Sequence, residues 1–136
     1  MTPRRSVSSG AEWESTYGYH RAVAVGGRAW VSGTTAASRG EVPVPDAAAQ
    51  ARAAFGIALD ALAELDFSVG DVVRTRMYVT DIADADQVGR VHGEVFDGVG
   101  PAATMVEVSA LIDPRLKVEV ELEAVASTWS DGGVVR

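Results

Sequence analysis

The chain contains 136 residues, 47% of them hydrophobic and 23% charged, and its 19 acidic and 12 basic residues give a net charge of −7. This composition fits one globular domain, and the negative charge argues against nucleic acid or an anionic membrane surface as a partner. The sequence has no cysteine, which excludes a disulfide framework, a thiolate metal site and a cysteine nucleophile. The lack of cysteine also suits the cytoplasm, where we expect the protein to work.

The two ends of the chain are expected to lie outside the domain. Residues 1–16 are interpreted as a polar lead-in, because Arg4 and Arg5 are not followed by the apolar stretch of a signal peptide. Residues 17–126 form the predicted domain, and residues 127–136 are expected to form a loose polar tail. No run of 18 apolar residues is present, so no segment is expected to span a bilayer.

The first structured segment is predicted to be a β-hairpin. Two runs rich in β-formers, residues 21–25 and 28–32, flank Gly26-Gly27, and a glycine pair at this place is typical of a tight turn that needs positive φ. Residues 36–45 contain a glycine and two prolines and are predicted to form a loop.

Two amphipathic helices are predicted next. Asp46 is placed to cap the first helix, which runs to about Leu65, and the second runs from about Asp84 to Asp97. Their apolar stripes are Ala51, Phe55, Ala58, Leu59 and Leu62 in the first helix and Val88, Val91, His92, Val95 and Phe96 in the second.

Three residues of the second helix invite a separate interpretation. Gly89 and Gly93 lie one turn apart, and we expect them to let the helix pack closely on a sheet. His92 lies on the apolar stripe and is interpreted as a core histidine rather than as a base or a metal ligand.

Three further strands are predicted at residues 72–80, 103–108 and 117–125, where apolar and polar side chains alternate. In the first of these, the side chains expected to face the core are Val73, Thr75, Met77 and Val79. The order hairpin, helix, strand, helix, strand, strand predicts an α+β fold, with one mixed sheet of about five strands and two helices on one of its faces.

The opposite, helix-free face of the sheet is the informative feature of the sequence. If Val118, Val120 and Leu122 face the helices, the glutamates between them face away. By the same count this face holds Trp30, Ser32, Arg74, Arg76, Tyr78, Ala103, Met105, Glu107, Glu119, Glu121 and Glu123.

Two interpretations of the helix-free face are open. It is either a solvated face with cross-strand ion pairs or an interface between copies of the chain. Trp30, Tyr78 and Met105 are large groups to leave in water, and they favour a closed homo-oligomer with its sheets face to face. A cleft at such an interface would suit a small molecule.

Several short motifs resemble, in their order and spacing, the Rid family, also called YjgF/YER057c/UK114 and formerly endoribonuclease L-PSP. They are Gly18-Tyr19, Val31-Ser32-Gly33, residues 70–81, Pro101-Ala102 and residues 118–124, and the resemblance covers about residues 17–126. It implies a chorismate-mutase-like fold and a homotrimer with a central β-barrel and three clefts between subunits. It also implies cofactor-free hydrolysis of reactive enamines and imines such as 2-aminoacrylate.

The resemblance assigns roles to individual residues. Tyr19 matches the pocket tyrosine of the family, Ser32 its pocket serine and Glu121 the glutamate that positions or activates water. The chain departs from the pattern where deaminating members carry an arginine that clamps the substrate carboxylate, because Ala103 follows Pro101-Ala102. Gly89 also stands where those members have a pocket asparagine.

These departures place the substrate in question. Hydrolysis of 2-aminoacrylate is doubtful without the arginine, and Arg76 and Arg21 are the candidates to replace it. The alternative for Arg76, and for Arg74, is pairing with the glutamates of the last strand. Trp30 and Met105 are expected to form walls of the cleft, and Glu121 is the best general acid or base.

Other chemistries are disfavoured. The two histidines, His20 and His92, lie far apart without a metal-binding spacing, so we expect no metal site. Ser32 has no histidine placed to activate it. The leading hypothesis is therefore a hydrolase of C=N bonds, the second a non-catalytic trimeric binding or regulatory protein, and the third a tailoring or mutase-like enzyme.

Overall fold

A computed structural model describes residues 3–127, which form one six-stranded sheet and three α-helices. The strands are β1 Arg4–Val7, β2 Ala22–Val25, β3 Arg28–Thr34, β4 Val72–Val79, β5 Ala102–Glu107 and β6 Val118–Val125. The helices are α1 Glu12–Tyr17, α2 Ala47–Glu64 and α3 Ala85–Val95. Short 3₁₀ turns at Val69–Asp71 and Ile82–Asp84 precede β4 and α3.

The strand order across the sheet is β1-β2-β3-β6-β4-β5. All neighbours are antiparallel except β4 and β5, which run parallel and are connected through α3. The predicted α+β class with one mixed sheet is confirmed, while the sheet has six strands rather than about five and the helices number three rather than two. None of the three described helices combines the length and apolar character needed to cross a bilayer.

The additional strand and helix lie in the segment interpreted as a lead-in. β1 pairs antiparallel with β2, with Arg5 opposite Ala24, and Val7 is its buried residue. A four-residue strand that begins with two arginines carries no apolar alternation, so its backbone pairing leaves no signal in the sequence. Residues 128–136, most of the predicted tail, lie outside the described residues.

The hairpin and the first helix form as predicted. β2 and β3 pair through a turn in which Gly26 adopts a positive φ of 62°. Gly27 does not, so only one of the two turn glycines has the positive φ expected of both. The side chain of Asp46 accepts a hydrogen bond from the backbone N–H of Ala49 at 2.8 Å and so caps α2. The core lies between α2 and the sheet and contains Ala51, Phe55, Ala58 and Leu62 from α2 and Val118, Val120 and Leu122 from β6.

The predicted core face of β4 is wrong at its first position. Val72 is buried, and Val73 is 47% exposed, because the register with β6 shifts between Val72 and Arg74. From Thr75 onward the alternation follows the prediction, and Thr75, Met77 and Val79 are buried. A bulge of this kind moves one residue to the other face and is not visible in the alternation itself.

The predicted face of β5 is wrong throughout the strand. Thr75, Met77 and Val79 of β4 lie on the core face, and they stand beside Ala103, Met105 and Glu107, which therefore share that face. The helix-free face instead receives Ala102, Thr104 and Val106. β5 is an edge strand whose large side chains, a methionine and a valine, are adjacent, so its sequence does not fix which of them faces the core.

α3 contributes Val88 and Val91 to the core, and Phe96, the residue directly after the helix, belongs to the core as well. His92 is half-buried and contacts the core, as its interpretation as a core histidine expects: its Nε2 lies 2.8 Å from the hydroxyl of Thr75, and its ring contacts Phe55 and Phe96. Burial lowers its pKa.

The two glycines of α3 do not mark a close approach within the chain. A Cβ on Gly89 would lie 3.9 Å from the terminal methyl of Met105, an ordinary contact, and a Cβ on Gly93 would meet no atom of the described residues within 4 Å. The prediction that both glycines allow close packing on the sheet is therefore wrong for this chain's own contacts.

The corrected face of β5 is tested by a pair of truncations. Met105→Ala is expected to lower the free energy of unfolding by about 1–2 kcal/mol, because the half-buried side chain packs against the core. Hydrogen exchange should show lower protection in α3 for this variant. Val106→Ala is the matched control and should leave α3 protection unchanged. If Val106→Ala lowers the protection of α3 and Met105→Ala does not, the face of β5 predicted from the sequence is the correct one.

Candidate functional site

A cleft with a volume of 440 Å³ opens where α1, the end of β3 and the start of β6 meet. α1 contributes Trp13 and Tyr17, and the residues that follow it contribute Tyr19 and Arg21. The other polar lining side chains include Ser32 and Glu119. A concave site of this size with converging polar groups is the usual location for a small molecule.

Arg21 lies at the base of this cleft and is fully engaged by the protein. Its Nη2 lies 3.4 Å from a carboxylate oxygen of Glu14, and its Nε donates to the Ser9 hydroxyl at 3.2 Å. Its Nη1 donates to the carbonyl of Gly33 at 2.6 Å and to the hydroxyl of Thr34 at 3.2 Å. Arg21 is 1% exposed and Glu14 5%, so the two charges form a buried ion pair.

Glu14 is held in its ionised form by its neighbours. Burial on its own raises the pKa of this carboxyl, but hydrogen bonds from Ser9 and Ser8 and the charge of Arg21 outweigh burial and lower the pKa below its ordinary value. The Ser8 hydroxyl donates at 2.9 Å and the Ser9 backbone N–H at 3.1 Å. The serine pair before α1 thus fixes the counter-charge of Arg21.

Tyr19 and Ser32 stand beside this pair. The guanidinium carbon of Arg21 lies 5.6 Å from the centroid of the Tyr19 ring, within the range of a cation–π contact. The Ser32 hydroxyl donates to the backbone carbonyl of His20 at 2.6 Å. Because its proton is used in this bond, Ser32 offers a ligand its lone pairs as an acceptor.

Glu119 is the carboxyl that lines the cleft. Its carboxylate lies directly against Gly33, where a Cβ would overlap it. Burial raises the pKa of Glu119, the neighbouring charge of Glu121 raises it further, and Arg21 opposes both. No hydrogen-bond donor from residues 3–127 reaches the Glu119 carboxylate. The group therefore keeps a proton more readily than an ordinary glutamate.

The other two glutamates of β6 have partners and do not line the cleft. The Tyr78 hydroxyl donates to the carboxylate of Glu121, and this hydrogen bond is the main reason why the pKa of Tyr78 is raised. Arg76 pairs with Glu123 at 3.2 Å, as the alternative interpretation of Arg76 predicts. Arg74 donates instead to the Thr104 hydroxyl at 2.6 Å.

The structure brings together three of the predicted site residues: Tyr19, Ser32 and Arg21. Trp30, Arg76 and Glu121 share the helix-free face but are not among the lining residues of the cleft. Ala103 and Met105 lie on the core face of β5 and do not line this cleft of the single chain, so the wall of an intersubunit cleft formed by Met105 stays a prediction.

The sequence analysis missed Trp13, Tyr17 and Glu119 as site residues. Glu119 was detectable as a second carboxyl at a two-residue spacing from Glu121, on the same face. Trp13 and Tyr17 are four residues apart, which places them on one side of a helix, but α1 itself was not predicted.

Comparison with known proteins agrees with this architecture. The family model for endoribonuclease L-PSP matches residues 10–126. A crystal structure of a Mycobacterium tuberculosis member of the YjgF/YER057c/UK114 family superimposes with a TM-score of 0.84 and 45% identity, covering 91% of this chain and all of that one (100%).

Two curated sequences extend the comparison. An uncharacterised protein of Streptomyces coelicolor is 43% identical over 122 residues, 88% of this chain and 90% of that protein. A 2-iminobutanoate/2-iminopropanoate deaminase of Escherichia coli K12 is 36% identical over 90 residues, 64% of this chain and 67% of the enzyme.

Breaking the buried ion pair is expected to destabilise the chain strongly. Glu14→Gln leaves the charge of Arg21 buried without a counter-charge, and the free energy of unfolding should fall by about 3 kcal/mol or more in urea denaturation. The control is Asp60→Asn, which breaks the exposed pair with Arg39 and should cost under about 1 kcal/mol. Equal, small losses would show that Arg21 is not desolvated.

The raised pKa of Glu119 gives a stability effect with a defined sign. The folded state binds this proton more tightly than the unfolded state, so stability falls as pH rises from the ordinary value of 4.5 through the raised pKa. Glu119→Gln should therefore raise Tm at pH 8 and change it less at pH 4. Glu123→Gln, which breaks the pair with Arg76, should not raise Tm at either pH. A Glu119→Gln variant that loses stability at pH 8 would contradict the assignment.

Proposed function

This chain belongs to the endoribonuclease L-PSP family, which is also named YjgF/YER057c/UK114, and from that premise we propose that it is a cofactor-free hydrolase of a reactive imine or enamine. The observation that carries the proposal is the cleft in which Tyr19 and Ser32 converge with a carboxyl of raised pKa, that of Glu119. The imine deaminase activity of the Escherichia coli relative supports the reaction class.

The residues of the cleft can each serve the addition of water to a C=N bond. Ser32 accepts a hydrogen bond from the imine nitrogen, and Tyr19 orients the substrate across its ring. Glu119 takes a proton from the attacking water and returns it to the departing nitrogen, a role for which a raised pKa is suited. Glu121 acts on this group through its negative charge, which raises the pKa of Glu119.

The proposal includes a homotrimer whose sheets surround a central barrel. In the isolated chain Trp30 and Val106, both on the helix-free face, are each 42% exposed. Large apolar groups on one face are typical of an interface between subunits. Three copies would cover this face and extend each cleft with residues of a neighbour. Light scattering should give about 43 kDa, three times the 14.2 kDa of the chain.

Turnover is the direct test of the proposed hydrolase. Imines are generated in situ by an amine oxidase or an amino acid oxidase, and their decay and the release of ammonia are followed with and without the protein. Acceleration is expected for the wild type, and Glu119→Gln should reduce it by about 100-fold or more, the usual contribution of a general base. Glu123→Gln, in the same strand but outside the cleft, should retain it. The hydrolase proposal fails if the protein accelerates the decay neither of the imines made by the amine oxidase nor of those made by the amino acid oxidase.

A second candidate function is a non-catalytic binding protein. It is favoured by Ala103, which stands where deaminating members have an arginine, and by the engagement of Arg21 with Glu14. Stabilisation of the protein by small molecules without turnover of any imine would support this second function.

A further inference from the structure

The charged side chains that line the cleft leave an excess of negative charge. Among the lining residues within residues 3–127, Arg21 is the one cation, and its charge is offset by the buried carboxylate of Glu14. Glu119 lines the same cleft and receives no ion pair from the described residues. Within one chain, the space that a ligand would enter therefore carries a carboxyl without an ion-pair partner among the described residues and no cation that is free to bind an anion.

Aromatic rings line the same cleft as this carboxyl. Trp13 and Tyr17 project from α1 at a four-residue spacing, and Tyr19 follows at the end of the same segment. The faces of such rings carry negative potential and attract organic cations. A cleft lined by a carboxyl and by aromatic rings stabilises a positively charged nitrogen and repels a carboxylate.

We propose that the cleft takes a substrate with a positively charged nitrogen and no carboxylate: an alkyl iminium ion, or the ammonium group of an amine. The catalytic part of this inference rests on the proposed hydrolase function, while the binding part does not. Glu119 is the recognition group for the charge, and the rings of Trp13, Tyr17 and Tyr19 contact the alkyl part.

The reaction of such a substrate is balanced without any further reactant. Water forms a C–O bond to the iminium carbon, the π electrons of the C=N bond move to nitrogen, and the carboxylate of Glu119 takes one proton from water. Glu119 returns that proton to nitrogen, and the C–N bond then breaks with its electron pair on nitrogen. The hydroxyl proton passes to the departing ammonia as the carbonyl forms, and the products are a ketone or aldehyde and one ammonium ion.

The cationic substrate also explains how Glu119 tolerates its position. Its pKa is raised by burial and by the charge of Glu121, and the charge of Arg21 opposes this rise only in part. The groups that face it from neighbouring elements are Tyr78 of β4, Gly33 of β3 and Arg21, and Arg21 is already paired with Glu14. A bound cation supplies the missing counter-charge.

Binding is tested with three probes of the same carbon skeleton: isobutylammonium, isobutyramide and isobutyrate. Titrations followed by the indole N–H signal of Trp13, or by calorimetry, should show isobutylammonium bound at least about tenfold more tightly than isobutyrate, equivalent to about 1.4 kcal/mol. Glu119→Gln should weaken the ammonium by about fivefold or more and leave the amide unchanged. Glu123→Gln should change neither. Isobutyrate binding as tightly as isobutylammonium, or an unaffected Glu119→Gln variant, overturns the inference.

Turnover separates this inference from the proposed function. The imine made from isobutylamine by an amine oxidase should be hydrolysed faster than the 2-imino acid made from valine by an amino acid oxidase. A preference for the imino acid would overturn the cationic substrate class while supporting a hydrolase. Ammonium binding that depends on Glu119, without turnover of either imine, would refute the hydrolase and support the cation-selective cleft.

Discussion

The buried ion pair between Glu14 and Arg21 is the interaction on which the cleft depends. Through it, the segment around α1 is tied to the residue that precedes β2 and to the end of β3, where Arg21 donates to the carbonyl of Gly33. The pair forms the base of the cleft and holds Tyr19 beside it. A buried pair contributes little net stability but is costly to separate, so it fixes position more than it adds to the free energy of folding. Because its guanidinium makes these contacts within the protein, Arg21 is not available to bind a substrate carboxylate.

The three glutamates of β6 lie in three different chemical environments. Alternation places Glu119, Glu121 and Glu123 on the helix-free face, and the backbone treats them alike. Their partners differ: Glu123 is paired with Arg76, and Glu121 accepts the hydroxyl proton of Tyr78 in a hydrogen bond. Glu119 faces Gly33 at the cleft, and its pKa is raised. The chemical environment of each carboxyl is thus set by the groups that contact it and not by its position along β6.

The difference between a local pattern and the contacts of a side chain also determines how much could be predicted from the sequence. The cap at Asp46, the hairpin turn and the faces of β6 follow from local patterns that the structure retains. The faces of β5 could not be predicted, because an edge strand with adjacent Met105 and Val106 has no unique alternation. Arg21 was a candidate to bind a substrate carboxylate because α1 was not predicted. Glu14, the partner that neutralises Arg21, lies on this helix, and six residues are too few to show a helical periodicity in the sequence.

Glu119 reaches the cleft because residue 33 has no side chain. β3 loses its regular register with β6 between Val31 and Thr34, and within this irregular stretch Ser32 and Gly33 form the edge of the cleft. A Cβ at residue 33 would occupy the volume of the carboxylate, so the carboxylate would have to move. A move that exposed the carboxylate to water would remove the burial that raises its pKa and would weaken its proposed attraction for a cation. In the proposed binding mode, one glycine and one strand irregularity therefore set both the pKa of the carboxyl and the charge of the ligand.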